Sequence, residues 1–102
     1  MKYSETQMLL KANKILKDLF KQYFKEENVE KIWFNEKADI PRQIGKVMST
    51  WTVCVYDSLS DADEFLTISD ETGEPLYYQN ANTIITEIAR DENGNYYRNR
   101  KR

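Results

Sequence analysis

The chain has 102 residues, 40% of them hydrophobic and 13% aromatic, which is enough for one core and excludes a disordered chain. It contains no histidine and a single cysteine, which excludes histidine-dependent catalysis, histidine-ligated metal sites and an intramolecular disulfide. The net charge of −2 is uneven, because residues 1–50 hold ten basic against seven acidic residues, whereas residues 51–102 hold five against ten. We therefore predict a single domain over residues 1–102 with a polarised surface charge.

No apolar run reaches the roughly 18 residues that a transmembrane helix needs. The first residues, MKYSETQMLLKANK, lack the hydrophobic region of a signal peptide. We therefore expect a cytoplasmic protein, or a mature protein whose leader has been removed.

Residues 4–27 predict a long amphipathic helix. Ser4 is a favourable N-cap, and Glu5 places an acid in the first turn. Apolar residues recur every three or four positions and form one stripe: Met8, Ala12, Ile15, Leu16, Leu19, Phe20 and Tyr23. We expect this stripe to pack on one face of a sheet. The helix residues predicted in the core are Met8, Ile15, Leu19 and Tyr23.

The opposite face of this helix carries a row of lysines: Lys11, Lys14, Lys17, Lys21 and Lys25. One interpretation is a surface that binds nucleic acid phosphates or an anionic membrane. The other is a solvated face, which the overall acidity of the chain and the interrupting acids Asp18, Glu26 and Glu27 favour.

Residues 28–45 are less regular. The apolar cluster at residues 32–34 predicts either a brief strand or the start of a second helix. Asp39 and Pro41 are typical of the start of a single helical turn, which Gly45 would end. Trp33 is interpreted either as a binding anchor or as a plug at the end of the core.

Residues 46–79 predict three strands. Alternation in residues 46–57 places Trp51, Val53 and Val55 on one face. Two further strands, near 64–69 and 74–79, flank a turn in which Gly73 takes the positive φ of a short hairpin with a bulge. The sheet residues predicted in the core are Val53, Val55, Phe65 or Leu66, Ile68, Leu76 and one of Ile84 or Ile85.

Residues 83–90 are ambiguous. Their β-branched residues favour a strand, which the Asn93-Gly94 pair and the following tyrosines would complete as a hairpin. A short helix capped by Asn82 is the alternative. Residues 98–102 form a basic tail that we expect to fray. The predicted fold is α+β: a long N-terminal helix packed on a curved antiparallel sheet of three to five strands.

The acidic stretch after residue 56 is the best candidate for a site. Asp-x-Asp spacing suits Ca²⁺, but the glycine and the distal glutamate of an EF-hand are missing. The alternatives are an acidic patch for a basic partner and a solvated loop. We predict no catalytic residue, no metal and no cofactor, and we expect Cys54, between two valines, to be buried and unreactive. The residues predicted to bind a partner are Asp57, Asp61, Asp63, Glu64, Tyr77 and Tyr78.

The segment 46–80, together with the helix, resembles two kinds of small domain. Residues 66–68, LTI, followed by residues 70–76, DETGEPL, look like the hairpin of PepSY-type domains. The helix-then-meander layout is similar to small immunity proteins of bacterial toxin systems. The resemblance implies a non-catalytic binding domain that inhibits a partner, and it transfers no catalytic residue.

Three functional hypotheses follow. The first is a non-catalytic protein-binding module, in its most concrete form an immunity or inhibitor protein whose acidic and aromatic surface meets a basic partner. The second is a nucleic-acid or anionic-surface binder that uses the lysine row. The third is a small-ligand-binding domain with a pocket between helix and sheet, lined by Trp51 and tyrosines. The sequence does not decide whether the protein forms a homodimer through an exposed edge strand.

Overall fold

A computed structural model of the chain describes residues 1–41, 43 and 45–99. In these residues one α-helix, α1 (Glu5–Phe20), precedes a six-stranded sheet in which each strand pairs antiparallel with the next. The strands are β1 (Val29–Asp39), β2 (Val47–Asp57), β3 (Ala62–Ser69), β4 (Pro75–Gln79), β5 (Ile85–Arg90) and β6 (Tyr96–Asn99). The α+β class is confirmed. The predicted count of three to five strands is wrong, because the irregular segment 28–45 contributes a long edge strand and residues 85–90 are a strand.

Helix α1 begins where the sequence predicts and ends earlier. Ser4 Oγ accepts a hydrogen bond from Gln7 N–H, and the Gln7 side chain accepts one from Ser4 N–H, which forms a capping box. The helix ends at Phe20, and Lys21 adopts a φ of 52°. Two 3₁₀ turns, at residues 21–23 and 26–28, lead into β1. The helix predicted to extend to residue 27 is therefore too long, because the chain reverses at Lys21 to reach the sheet edge.

The core lies between α1 and the inner face of the sheet. Helix α1 contacts β1, β2 and β6, which include both edge strands, so the sheet bends around the helix. The buried core residues are Met8, Ala12, Ile15, Leu16, Trp51, Val53, Val55, Leu66, Ile68, Tyr78, Ile88 and Tyr96. The core predictions confirmed by this set are Met8, Ile15, Val53, Val55, Leu66 and Ile68.

Several predicted core positions are wrong. Tyr23 is 76% exposed because the helix ends before it, and Leu19 is partly buried beside the core. Ile84 is 56% exposed, and Ile85 pairs with Gln79 on the outer face. Ile88 supplies the β5 side chain of the core instead, and in β4 the core residue is Tyr78, since Leu76 is only half-buried.

The loop between β1 and β2 folds back against the sheet. Gln43 N–H donates to Ile40 C=O, and Lys46 N–H donates to Gln43 C=O, so the described loop residues form two turns. The single helical turn predicted here falls partly on residues 42 and 44, which lie outside the described residues. Ile40 is buried, which anchors the loop to the sheet.

The C-terminal hairpin is confirmed as a strand pair. In the register of β5 and β6, Glu87 lies opposite Asn99 and Arg90 lies opposite Tyr96. The alternative prediction of a short helix capped by Asn82 is therefore wrong. The fraying predicted for residues 98–102 is wrong for the first two, which belong to β6. Residues 100–102 lie outside the described residues.

Gly73 is required in the β3–β4 turn for two reasons. Its φ is 76°, and a Cβ atom at this position would lie 3.0 Å from the Tyr3 ring. We expect Gly73→Ala to lower the free energy of unfolding by about 2–3 kcal/mol, since backbone strain adds to a steric clash. Urea denaturation measures this loss.

Gly94 is the matched control, because its φ is 83° and a Cβ atom there would meet nothing within 4 Å. We expect Gly94→Ala to cost about 1 kcal/mol from backbone strain alone. Equal losses in the two variants would show that the Tyr3 contact does not constrain Gly73.

Candidate functional site

The outer face of the sheet is the first candidate surface. Alternation turns every second strand residue away from α1. The register aligns Trp33 with Thr52, Thr67 and Tyr77 across β1 to β4, and it places Phe65 beside Cys54. Trp33 is 39% exposed, and its ring meets the Phe65 ring edge-on with 6.4 Å between centroids. We use the term outer face for Trp33, Thr52, Cys54, Phe65, Thr67 and Tyr77.

The β1–β2 loop borders this face at one end. Ile40, Pro41 and Gln43 line a small cavity of about 210 Å³ together with Tyr77 and Ile85. Trp33 is therefore neither in a connector nor a plug of the core. It lies in β1, on the side of the sheet opposite α1.

Carboxylates crowd the other end of the outer face. We call Glu30, Asp61 and Asp63 the acidic end. A hydrogen bond with Asp63 raises the pKa of the exposed Glu30 carboxyl above its usual value. The hydroxyl of Tyr56 donates to Asp61 at 2.6 Å, and this bond and the neighbouring carboxylates raise the pKa of Tyr56.

One group at this end carries metal-ligating atoms. A carboxylate oxygen of Glu30, one of Asp63 and the Cys54 sulfur all lie within 4.8 Å of one another. Burial, followed by the nearby carboxylates, raises the pKa of Cys54 to about 11. The thiol is therefore protonated at neutral pH, which disfavours metal binding through sulfur because a metal ligates the thiolate. Cys54 is buried, as predicted.

A cleft on the inner side of the sheet is the second candidate site. It has a volume of about 310 Å³ and lies between the end of α1 and strands β2 to β4. Its aromatic lining consists of Phe20, Tyr23, Phe24, Tyr56 and Tyr78. Its polar lining consists of Asp57, Glu64, Asn80 and Arg98. Three of the residues predicted to bind a partner therefore line this cleft: Asp57, Glu64 and Tyr78.

Glu64 and Tyr78 form a buried pair in the wall of the cleft. Tyr78 Oη–H donates to Glu64 Oε1 at 2.7 Å, and Ala81 N–H donates to Glu64 Oε2 at 3.0 Å. Burial, followed by this hydrogen bond to a carboxylate, raises the pKa of Tyr78. Both carboxylate oxygens are therefore used within the fold, where they hold the β4–β5 turn against β3.

Arg98 is a cleft residue that sequence reasoning missed. Its guanidinium carbon lies 4.7 Å from the centre of the Phe20 ring and 5.5 Å from that of Tyr78. Its Nε is buried and has no hydrogen-bond partner among the described residues. Alternation from the buried Tyr96 would have placed Arg98 on the inner face, but the basic residues that follow made it look like part of a tail.

Comparison of the chain with known proteins finds no relative. No protein-family model, no curated protein and no solved structure matches the chain. The resemblance to PepSY-type domains and immunity proteins therefore stays a prediction. Within the described residues, no helix has the length and hydrophobicity needed to cross a membrane.

The five lysines of the predicted row differ in their contacts and in their position relative to α1. Lys11 lies 3.4 Å from a Glu74 carboxylate oxygen and over the Tyr96 ring, and Lys14 pairs with Asp18 at 2.7 Å. Lys17 is the last of the five within α1, since Lys21 and Lys25 follow its end. The lysines therefore do not form one continuous helical face.

Proposed function

We propose that the protein is a non-catalytic protein-binding module that meets a basic partner through its outer face and acidic end. The observation that carries this proposal is the exposed Trp33 ring against the half-buried Phe65 ring, beside the carboxyl pair of Glu30 and Asp63. Large aromatic side chains dominate the binding energy of many interfaces, and flanking charges orient the partner. The predicted interface residues Asp63 and Tyr77 belong to this side of the sheet.

The electrostatics of the acidic end support a partner with a basic surface. Neither Glu30 nor Asp63 forms an ion pair with a described basic residue, although their carboxyl groups are hydrogen-bonded to each other. Two carboxyl groups this close repel each other once both are ionised. A lysine or arginine from the partner would relieve this repulsion, so binding is favoured by the charges already present.

The most concrete form of the proposal is an immunity or inhibitor protein that acts in the cytoplasm. The helix-then-meander order supports it, because the resemblance to small immunity proteins rests on this layout. The acidic end would contact the basic surface of the protein that is neutralised. Trp33 and the half-buried Phe65 and Tyr77 of the outer face would supply the apolar contact area.

The test starts from the partner retained by the tagged protein from nuclease-treated lysate of the source organism. We expect Trp33→Ala and Asp63→Lys each to weaken its binding tenfold or more, because one removes an aromatic anchor and the other reverses a charge at the interface. Asp63→Lys should mainly slow association, and it should reduce the dependence of association on salt. Surface plasmon resonance separates association from dissociation rates.

Glu92→Lys is the control, since it makes the same charge change in the β5–β6 turn, at the end of the sheet away from Asp63. We expect it to leave affinity within twofold of wild type. Wild-type affinity in both Trp33→Ala and Asp63→Lys would remove the outer face and the acidic end from the interface. Nucleic-acid-binding proteins that are retained from untreated lysate but lost from nuclease-treated lysate would favour binding through the lysine row instead.

A further inference from the structure

We propose that the cleft is a second binding site, which takes a small aromatic carboxylate whose charged group lies on Arg98. Neither the outer-face residues nor Glu30, Asp61 and Asp63 of the acidic end line the cleft, so this proposal does not depend on the protein-binding surface. The ligand class follows from three properties of the cleft: an unpartnered cation, an aromatic wall and a limited volume.

The unpartnered cation sets the charge of the ligand. Arg98 Nε is buried without an acceptor, and no described carboxylate forms an ion pair with the guanidinium. A buried donor without a partner is costly, because the water it has lost is not replaced. A ligand carboxylate would supply the acceptor and the opposite charge together, and it matches the planar fork of the arginine side chain.

The rings of Phe20 and Tyr78 hold this arginine in place before any ligand arrives. An arginine on the surface would lose rotamer freedom on binding, and that loss would weaken the complex. The stacked guanidinium of Arg98 has already lost most of this freedom on folding. Its position therefore favours tight binding of a ligand that reaches it.

Two carboxylates in the same cleft do not cancel this preference. Both oxygens of Glu64 already accept hydrogen bonds, from the Tyr78 hydroxyl and from a backbone N–H. Asp57 accepts a hydrogen bond from the Ser60 hydroxyl at 2.8 Å. Hydrogen bonds within the fold already engage these carboxylates, whereas Arg98 Nε has no acceptor among the described residues. The group with unmet hydrogen-bonding capacity is the one that selects the ligand.

The size and walls of the cleft indicate a single ring. A dry cavity of about 150 Å³ is enough for benzene, so about 310 Å³ accommodates a ring that carries a short polar group. Phe20, Tyr23 and Phe24 offer their rings for stacking or edge-on contact. An aromatic body is therefore favoured over a polar one such as a sugar.

The test uses three probes of the same shape: benzoate, benzyl alcohol and benzylamine. We expect benzoate to bind roughly tenfold to a hundredfold more tightly than the alcohol, as a charge-assisted hydrogen bond requires, and the amine to bind most weakly. Titration calorimetry measures the affinities. The Nε–Hε resonance of Arg98 in heteronuclear NMR spectra should shift with benzoate and not with the alcohol.

Arg98→Met should abolish the advantage of benzoate over the alcohol, and Arg98→Lys should retain part of it. Arg90→Met is the control, since Arg90 pairs with Glu74 at 2.8 Å and does not line the cleft. If Arg98→Met does not fold, the Arg98 resonance of the wild-type protein still decides the question. Equal binding of benzoate and the alcohol, tighter binding of benzylamine, or no binding of benzoate at millimolar concentration would each overturn the proposal.

Discussion

Replacing Asp70 by alanine is expected to lower the free energy of unfolding by about 3 kcal/mol, because a buried acceptor of three hydrogen bonds is lost. Asp70 is 4% exposed. It accepts hydrogen bonds from Lys2 N–H at 2.7 Å, from Tyr3 N–H at 3.1 Å and from Trp51 Nε1–H at 2.8 Å. The alanine variant leaves the Trp51 indole N–H buried without an acceptor, and it releases the segment that leads into α1.

Two further variants, Asp70→Asn and Asp91→Ala, separate the contribution of the Asp70 charge from the contribution of its burial. Asp70→Asn keeps one acceptor oxygen but loses the charge, so we expect about half of the full loss. Asp91 also accepts two backbone N–H groups, from Asn93 and Asn95, but in an exposed turn, so its alanine variant should lose about 1 kcal/mol. Guanidinium denaturation followed by tryptophan fluorescence measures all three. A loss at Asp70 no larger than that at Asp91 would show that burial does not strengthen these bonds.

The same carboxylate makes stability depend on pH in a defined direction. Burial raises the pKa of Asp70, but the hydrogen bonds from Lys2, Trp51 and Tyr3 outweigh burial and hold this pKa below its usual value. A depressed folded-state pKa adds stability above the unfolded-state pKa of about 3.9, and this stability disappears as pH falls through the folded-state pKa. The difference in stability between wild type and Asp70→Asn should therefore shrink from pH 7 towards acid. A constant difference over this range would contradict the charge-based explanation.

The sequence predicted those parts of the fold that depend on local chemistry. Ser4 marks the start of α1, and the turns at Gly73 and Gly94 mark two hairpins, because each needs a specific side chain or a positive φ. Strand β1 was not recognised as a long strand, since register shifts after Val29 and after Asn35 interrupt its alternation. The end of α1 carried no glycine or proline signal, because Lys21 itself takes the positive φ.

The candidate sites were only partly predictable, because their residues meet through long-range packing. The acidic residues of the β2–β3 region were found by composition, but the partition between Asp63 on the outer face and Glu64 in the cleft depends on strand register. The pairing of Glu64 with Tyr78 joins positions fourteen apart across a turn. The stacking of Arg98 on Phe20 joins the last strand to the end of the helix, which no local pattern predicts.

Ile15→Ala is expected to lower the free energy of unfolding by about 3–4 kcal/mol, because truncation leaves a cavity beneath the helix. Ile15 has no exposed surface and belongs to the cluster that joins α1 to Trp51, Val53 and Leu66. Among the described residues α1 is the one α-helix on the inner face, so no second helix can move in to fill the space. Thermal denaturation by circular dichroism measures the loss.

Tyr23→Ala gives the matched comparison, because the apolar stripe of the sequence treats Tyr23 and Ile15 alike and the structure does not. Tyr23 is 76% exposed, beyond the end of α1, so its removal should change stability by less than about 0.5 kcal/mol. A loss at Tyr23 comparable to that at Ile15 would mean that the helix continues to residue 27 in solution, as the apolar spacing alone indicates. Equal and small losses would mean that α1 is not docked on the sheet. If the chain reverses at Lys21, only Ile15→Ala should lower the free energy of unfolding substantially.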